Sequence, residues 1–439
     1  MAGRYSPPDR SGGLFYAHPV RLKSWAVKRN SCKLYIPYIA SMNQLTDLTA
    51  NKKRVQSIDI LRGIVMIIMA LDHVRDYFHI EAFTGDPLNP DTTTPILYFT
   101  RWITHFCAPT FVFLAGTSGY LIGLRKTKAG LSSFLLKRGL WLILVEAVII
   151  SLGWTFDPLY HNIIFQVIWA IGISMVLLGL AVRLPYEVIF AVGALIVLGH
   201  NLLDYPEADR KHDVGFVWDL LHNGRFDTYN FAPGRVLIIA YAFLPWTGIM
   251  FMGYSAGKLF EATVEPIKRQ KALLIIGSGL IALFVVLRLI NEYGNPFPWP
   301  PQKDALSTFM AFMNVQKYPP SLMYASITLG PALILLALIE NVQNRFTDYV
   351  KVFGRVPFFY YVLHLYFIHI FTVIAFYLEG YGSKDISGQT PFLFRPVQFG
   401  YPLWAVYVIW IVLILALYPL CRWYNKYKAT HTQWWLSYL

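Results

Sequence analysis

The sequence predicts an all-α, polytopic integral membrane bundle of about ten transmembrane helices with both termini cytoplasmic, and three observations carry that reading. Of 439 residues, 56% are hydrophobic and only 14% are charged, where an average soluble chain has roughly 25% charged. Apolar runs close to the twenty or so residues that a bilayer requires recur along the chain from Ser57 onward. Lys and Arg gather in alternate connections, which sets orientation. The net charge of +13 would suggest nucleic acid in a soluble chain. Here it is a topology signal, so the expected partner is the lipid bilayer and no nucleic acid. Cys32, Cys107 and Cys421 are too scattered for a disulfide framework or a metal-ligand spacing, and no metal is expected.

Residues 1–56 are polar, basic and broken by Pro and Gly, without an apolar run long enough for a signal peptide. They read as a disordered cytoplasmic tail ahead of a membrane domain at 57–439. Met42, followed by NQLTDLTANKKR, has the look of an ordinary start, so residues 1–41 are expected to be an over-called start or a dispensable extension. Spans are predicted at 57–78, 96–124, 133–155, 162–183, 185–203, 235–260, 271–291, 319–340, 353–378 and 402–423. Lys52, Lys53 and Arg54, then Arg125, Lys126, Lys128, Lys137 and Arg138, then Lys268, Arg269 and Lys271 mark one side. Arg345, Lys351 and Arg355, with Arg422, Lys426 and Lys428, continue the alternation and make that side cytoplasmic. The opposite side carries the long connections 79–95, 204–234, 292–318 and 379–401, rich in Pro, Gly, Asp, Asn and aromatic residues. Loops of that length are more often functional than idle. With no separate soluble domain and no Gly-rich phosphate loop, any chemistry belongs inside the bundle or at its outer mouth.

The first span, SIDILRGIVMIIMALDHVRDYFH, is the stretch around which the rest is organised. Arg62 and His73 lie eleven residues apart, about three turns, so both side chains leave one helix face, about 16 Å apart along the axis. They are expected to look into one lipid-shielded passage. Asp59, three residues before Arg62, offers an ion pair at the cytoplasmic end, either fixing orientation only or shaping a phosphate site around the Arg62 guanidinium. Asp72 and His73 are adjacent and about 100° apart, so they cannot pair face to face, and His73 is the better general base.

Further along, Arg101 and His105 stand one turn apart. A lone histidine in an apolar helix is more often a packing residue, yet Thr104 and Arg101 accompany this one. The run from Ala115 to Gly119 reads as a close helix contact rather than a binding loop. Glu146, deep in a span, needs a partner or a proton, and structural and substrate-site roles weigh equally. His364 and His369 are about 140° apart, poor ligands for one metal, and Tyr360 and Tyr361 could hold the His364 ring. Lys317, Tyr318, Pro319, Pro320 and Ser321 open a span whose N-terminal amides would face the outer mouth, where a carboxylate or sugar hydroxyl could dock; a plain helix start explains the same letters.

SIDILRGIVMIIMALDH, RWITHFCAPTFVFLAGTS, KYPPSL at 317–322 and FGRVPFFYYVLHLYFIH together resemble the bacterial branch of the heparan-alpha-glucosaminide N-acetyltransferase catalytic-domain family, over nearly everything from Ser57 to Leu439. More distantly, the aspartate, LRG and histidine of the first span resemble the acyltransferase 3 membrane enzymes, in which the equivalents of Arg62 and His73 are functional and the histidine is regarded as catalytic. The resemblance implies transfer of an acyl group, acetyl above all, from cytoplasmic acyl-CoA to a hydroxyl or amine of a carbohydrate or glycolipid-type acceptor across a bacterial inner membrane. Acyl-CoA is then a co-substrate, no cofactor is bound permanently, and a homodimer is compatible with the sequence. His73, Asp72 and His105 are the expected catalytic set, with His79 a further rival for the base. Arg62, Asp59, Lys137, Arg138 and Arg355 would meet the donor, and Arg101, Glu146, Lys317, Tyr361 and His364 would line the substrate path. The competing reading is a proton-coupled transporter or flippase in which His73, His105 and Glu146 relay protons without covalent chemistry.

Overall fold

The computed structural model describes Gly3 and residues 55–208, 215–386 and 390–437. The expectations for residues 1–54, including the over-called start, lie outside the described residues apart from Gly3. Everything below concerns the compact unit Val55–Leu439.

The chain is mostly helical. Helix α1 (Gln56–Phe78) is buried on nearly every side, from Ser57 and Ile60 through Val65 and Val74 to Tyr77. Next come α2 (Pro95–Ile103), a 3-10 turn Thr104–Phe106, and α3 (Cys107–Gly123). Then α4 (Lys128–Val145) passes through a π turn (Glu146–Ile150) into α5 (Ser151–Thr155). Helices α6 (Val167–Ala181) and α7 (Tyr186–Gly199) follow, the latter continued by His200–Leu203 and α8 (Asp204–Ala208). After α9 (Phe216–Leu221) come α10 (Phe243–Ala256), α11 (Pro266–Ile290) and α12 (Ala305–Met313). The last four are α13 (Leu322–Leu338), α14 (Arg345–Arg355), α15 (Pro357–Leu378) and α16 (Leu403–Thr430). Around α1 stand α3, α13, α14, α15 and α16.

Among the described residues, five helical stretches are long and apolar enough to cross a membrane: Pro95–Gly123, Tyr186–Glu207, Pro266–Ile290, Pro357–Leu378 and Leu403–Thr430. They correspond to five of the ten expected spans. Val167–Ala181 and Leu322–Leu338 are apolar but shorter. Helix α1 has the length and carries Asp59, Arg62, Asp72, Arg75 and Asp76, charges that its neighbours shield.

Two expected spans begin differently. Residues 162–165 and 235–239 form strands rather than helix: β1 (Asn162–Phe165), β2 (Asp227–Ala232) and β3 (Arg235–Ile239) make a small sheet in the order β1-β3-β2. Strand β3 runs parallel to β1, with Asn162 opposite Val236, and antiparallel to β2. NIIF and RVLII are short β-branched runs, which periodicity cannot separate from the first turn of a buried helix. Between β1 and α6, the Glu146 carboxylate accepts hydrogen bonds from the Gln166 and Trp169 backbone amides (3.2 and 2.9 Å). Glu146 therefore supplies the opening turn of α6 with the acceptor that no residue of its own gives. The expected span 353–378 is also divided, because α14 ends at Arg355 and Pro357 opens α15. Proline cannot donate to the preceding turn and suits a first helical position. Asn344 and Thr347 close a capping box at the other end of α14.

Helices α1 and α14 touch through glycine. A Cβ on Gly354 would overlap the Asp59 carbonyl, and one on Gly63 the Val350 carbonyl. Gly116 and Gly253 bring α3 and α10 together in the same way, so the run at 115–119 is the close helix contact expected of it.

Two outcomes follow for thermal unfolding in detergent. Gly354→Ala should cost about 1–3 kcal/mol by overpacking, whereas Gly279→Ala, inside α11 with no neighbour within 4 Å, should hold or raise the midpoint; a Gly354→Ala midpoint no lower than that of the unaltered protein would show that the α1–α14 crossing is not tight. Glu146→Ala should lose about 1–3 kcal/mol for each amide left without an acceptor, and Glu146→Gln, which keeps one oxygen, should lose less.

Candidate functional site

Arg62 and His73 occupy opposite halves of α1, each in its own polar cluster. Arg62 donates to Ser118 Oγ (3.0 Å), to the Gly354 carbonyl (3.3 Å) and to Asp59 (3.5 Å). Asp59, 1% exposed, also faces Arg355 Nε at 3.7 Å. The guanidinium is thus bound within the protein, and Ser118, on the small-residue run of α3, is a partner that the sequence did not single out. Lys137 is exposed and Arg138 half-buried on α4. Close by, Lys126, Lys128 and Lys258 line a cavity of about 320 Å³ with Tyr120 and Tyr186.

At the other half, His73 sits where α1, α5 and α15 meet. Its Nδ1 lies 2.6 Å from His364 Nε2, with the rings stacked at 4.9 Å. Trp154 stands edge-on at 4.8 Å and Tyr361 at 6.3 Å. His364 is wholly buried, against the Tyr360 ring, with Nδ1 3.2 Å from the Tyr360 carbonyl. A carbonyl only accepts, so His364 Nδ1 carries the hydrogen and its Nε2 holds a lone pair. His73 Nδ1 therefore donates to it, which leaves the lone pair of His73 Nε2 free. His73 stays partly accessible.

Asp72 turns away from His73, as adjacency requires. It accepts from Arg101 Nη1 (2.7 Å) and Arg75 Nη2 (3.3 Å), and Arg75 also reaches Asp76 (2.6 Å). Arg75 is a partner beyond the sequence-predicted set, and its i,i+3 spacing from Asp72 is the signal that points to it. Lys317, half-buried over the Tyr318 ring at 5.0 Å, lies within electrostatic reach of Asp72 and His73. Two guanidinium groups, Arg75 and Arg101, thus meet the carboxylates of Asp72 and Asp76 next in sequence to His73.

The rival histidines have other surroundings. His105 is buried edge-on to Tyr324 at 5.3 Å, and the Tyr324 hydroxyl donates to the His105 backbone carbonyl (2.9 Å). His79 follows α1, its carbonyl accepting from Arg395 Nη2 (2.8 Å) and its ring from the Glu81 amide (3.3 Å); burial pulls its imidazole below the ordinary value despite the charge of Glu81. His369 stacks on Phe156 and donates to the Leu393 carbonyl (2.8 Å), a structural tie. Glu146 is spent on the α6 amides. A cavity of about 200 Å³ lies just beyond α1, lined by Arg75, His79, Glu81, Asp86, Thr92 and Thr93 among others. Neither cavity is lined by both Arg62 and His73, so these two cavities are not the shared passage expected from their common helix face.

None of the curated proteins matches the chain. A family model described as "Heparan-alpha-glucosaminide N-acetyltransferase, catalytic" matches residues 54–287, which includes both clusters of α1 but stops short of Lys317, Tyr361 and His364. That match spans more than half of the sequence, and with it the chain belongs to the heparan-alpha-glucosaminide N-acetyltransferase catalytic family.

Proposed function

We propose that this protein is a membrane acyltransferase that moves an acyl group, acetyl above all, from cytoplasmic acyl-CoA to a hydroxyl or amine of a sugar-type acceptor on the extracytoplasmic face of a bacterial inner membrane. The observation that carries this reading is the hydrogen-bonded relay from His73 Nδ1 through His364 to the Tyr360 carbonyl. It orients one imidazole in a single tautomer with Nε2 left free, in a chain of an acetyltransferase family.

In the reaction, His73 Nε2 takes the proton from the acceptor hydroxyl or amine as that atom attacks the thioester carbonyl. The carbon–sulfur bond then breaks, and the CoA sulfur leaves with the proton returned from the imidazolium. Arg101 and Lys317 are the donors best suited to the oxyanion, since Arg101 is already oriented by Asp72. Hydroxyl and carboxylate groups of the 200 Å³ cavity suit the hydroxyls of a sugar. At the opposite end, Lys126, Lys128 and Lys258 suit the phosphates of CoA, in place of Arg62 and Arg355, which Asp59 holds.

Purified protein with labelled acetyl-CoA and sugar acceptors tests this. His73→Ala should lower label transfer about 10²–10⁴-fold with CoA affinity nearly unchanged; gradient-driven solute uptake without CoA release would instead establish a transporter. His364 is a positioning residue. His364→Gln, whose amide oxygen can still accept from His73 Nδ1, should keep at least about tenfold more turnover than His364→Ala, and the acceptor KM should be the same for both.

A further inference from the structure

Away from the His73 site, a second polar cluster lies where α7 runs into α8. Asp204 and Glu207 belong to α8, and His222 follows α9. One ligand atom from each lies within 4.8 Å of the other two. Asp204 is 8% exposed and His222 0%, and the Glu207 side chain is 6% exposed.

Their hydrogen bonds leave acceptors unserved. Asp204 Oδ2 accepts from Asn201 Nδ2 (2.6 Å), while its buried Oδ1 has no partner. Glu207 Oε1 accepts from Trp218 Nε1 (2.7 Å) and faces His222 Nδ1 at 2.6 Å. Its Oε2 has no hydrogen bond, and Arg225 stays 3.8 Å away with its side chain 35% exposed. Among the described residues, Arg225 is the one guanidinium near these two buried carboxylates, an arrangement that costs free energy unless further positive charge enters. His222 Nε2 is engaged by His200 Nδ1 at 3.1 Å, so Nδ1 is the nitrogen presented to the carboxylates. A hydrogen on His222 Nδ1 accounts for its contact with Glu207. It still leaves Asp204 Oδ1 unserved.

We propose that Asp204, Glu207 and His222 form a binding site for one divalent cation of the zinc class, which ties the 204–234 connection to the rest of the bundle. One imidazole nitrogen and two carboxylate oxygens suit zinc better than magnesium or calcium, which prefer all-oxygen sites. Closing onto zinc at about 2.0–2.2 Å would draw the three atoms to roughly 3.3 Å apart, with water in the fourth position. The outer partners are in place, since His200 holds His222 and Asn201 holds Asp204. Asn201 Oδ1 also accepts from the Leu322 amide (2.8 Å), so the site is linked to the first turn of α13, just after Lys317.

The test uses the full chain without a histidine tag, stripped with chelator and titrated with zinc, with bound metal measured by mass spectrometry and melting followed in detergent. One zinc per chain with affinity in the micromolar range or tighter is expected, together with a melting temperature that rises with zinc. Asp204→Asn and His222→Gln should weaken binding at least about 100-fold. Asp204→Asn changes one atom and decides the matter if His222→Gln fails to fold. Wild-type protein that binds no zinc tighter than about 100 μM, or variants that bind as tightly as wild type, would overturn the proposal. Cobalt in place of zinc should give the intense visible bands of a four-coordinate site in wild type and lose them in Asp204→Asn. Acyl transfer is not needed for any of these readouts, so the result stands apart from the proposed reaction.

Discussion

A helix with five charged side chains, enclosed by five other helices, can persist only if each charge finds its partner within the bundle. That constraint governs α1. At one end Asp59 faces Arg62 and Arg355, and Arg62 also donates to Ser118 and to the Gly354 carbonyl. At the other, Asp72 joins Arg101 and Arg75, and Arg75 holds Asp76. An unpartnered charge in this setting is costly, so α2, α3 and α14 are held in register by the groups that α1 requires of them. The glycine crossing of α1 on α14 belongs to the same scheme, because it lets the Gly354 carbonyl approach closely enough to accept from Arg62.

Between the two ionic clusters α1 is apolar, and this spacing sets His73 apart. The imidazole stands next in sequence to Asp72 but points elsewhere, into aromatic side chains of α5 and α15. With the nearby carboxylate bound to two guanidinium groups, the neutral His364 ring and the Tyr360 carbonyl decide which His73 nitrogen is bare.

Much of the frame was legible in the residues. Apolar runs located five of the spans and SIDILRG marked α1 as the centre, while the break at Pro357 falls inside a stretch that reads as one span. Misplaced starts at 162 and 235 had a physical cause, since a four- or five-residue β-branched run looks the same as a helix beginning until its pairing partner is known. Glu146 was recognised as needing a partner. That the partner is a pair of amides twenty and twenty-three residues on depends on the π turn and β1, which bring the start of α6 back to it.

The sequence by itself determined the class of the protein, the family and the identity of the central helix, because composition and apolar patterning are local properties. Only tertiary structure decided which of the histidines pairs with His73, that Arg62 is engaged by Ser118 and Gly354, and that Asp204 and His222 meet. Each of those rests on contacts between residues far apart along the chain, His73 and His364 among them, and helical periodicity carries no information about which faces of distant helices will pack together.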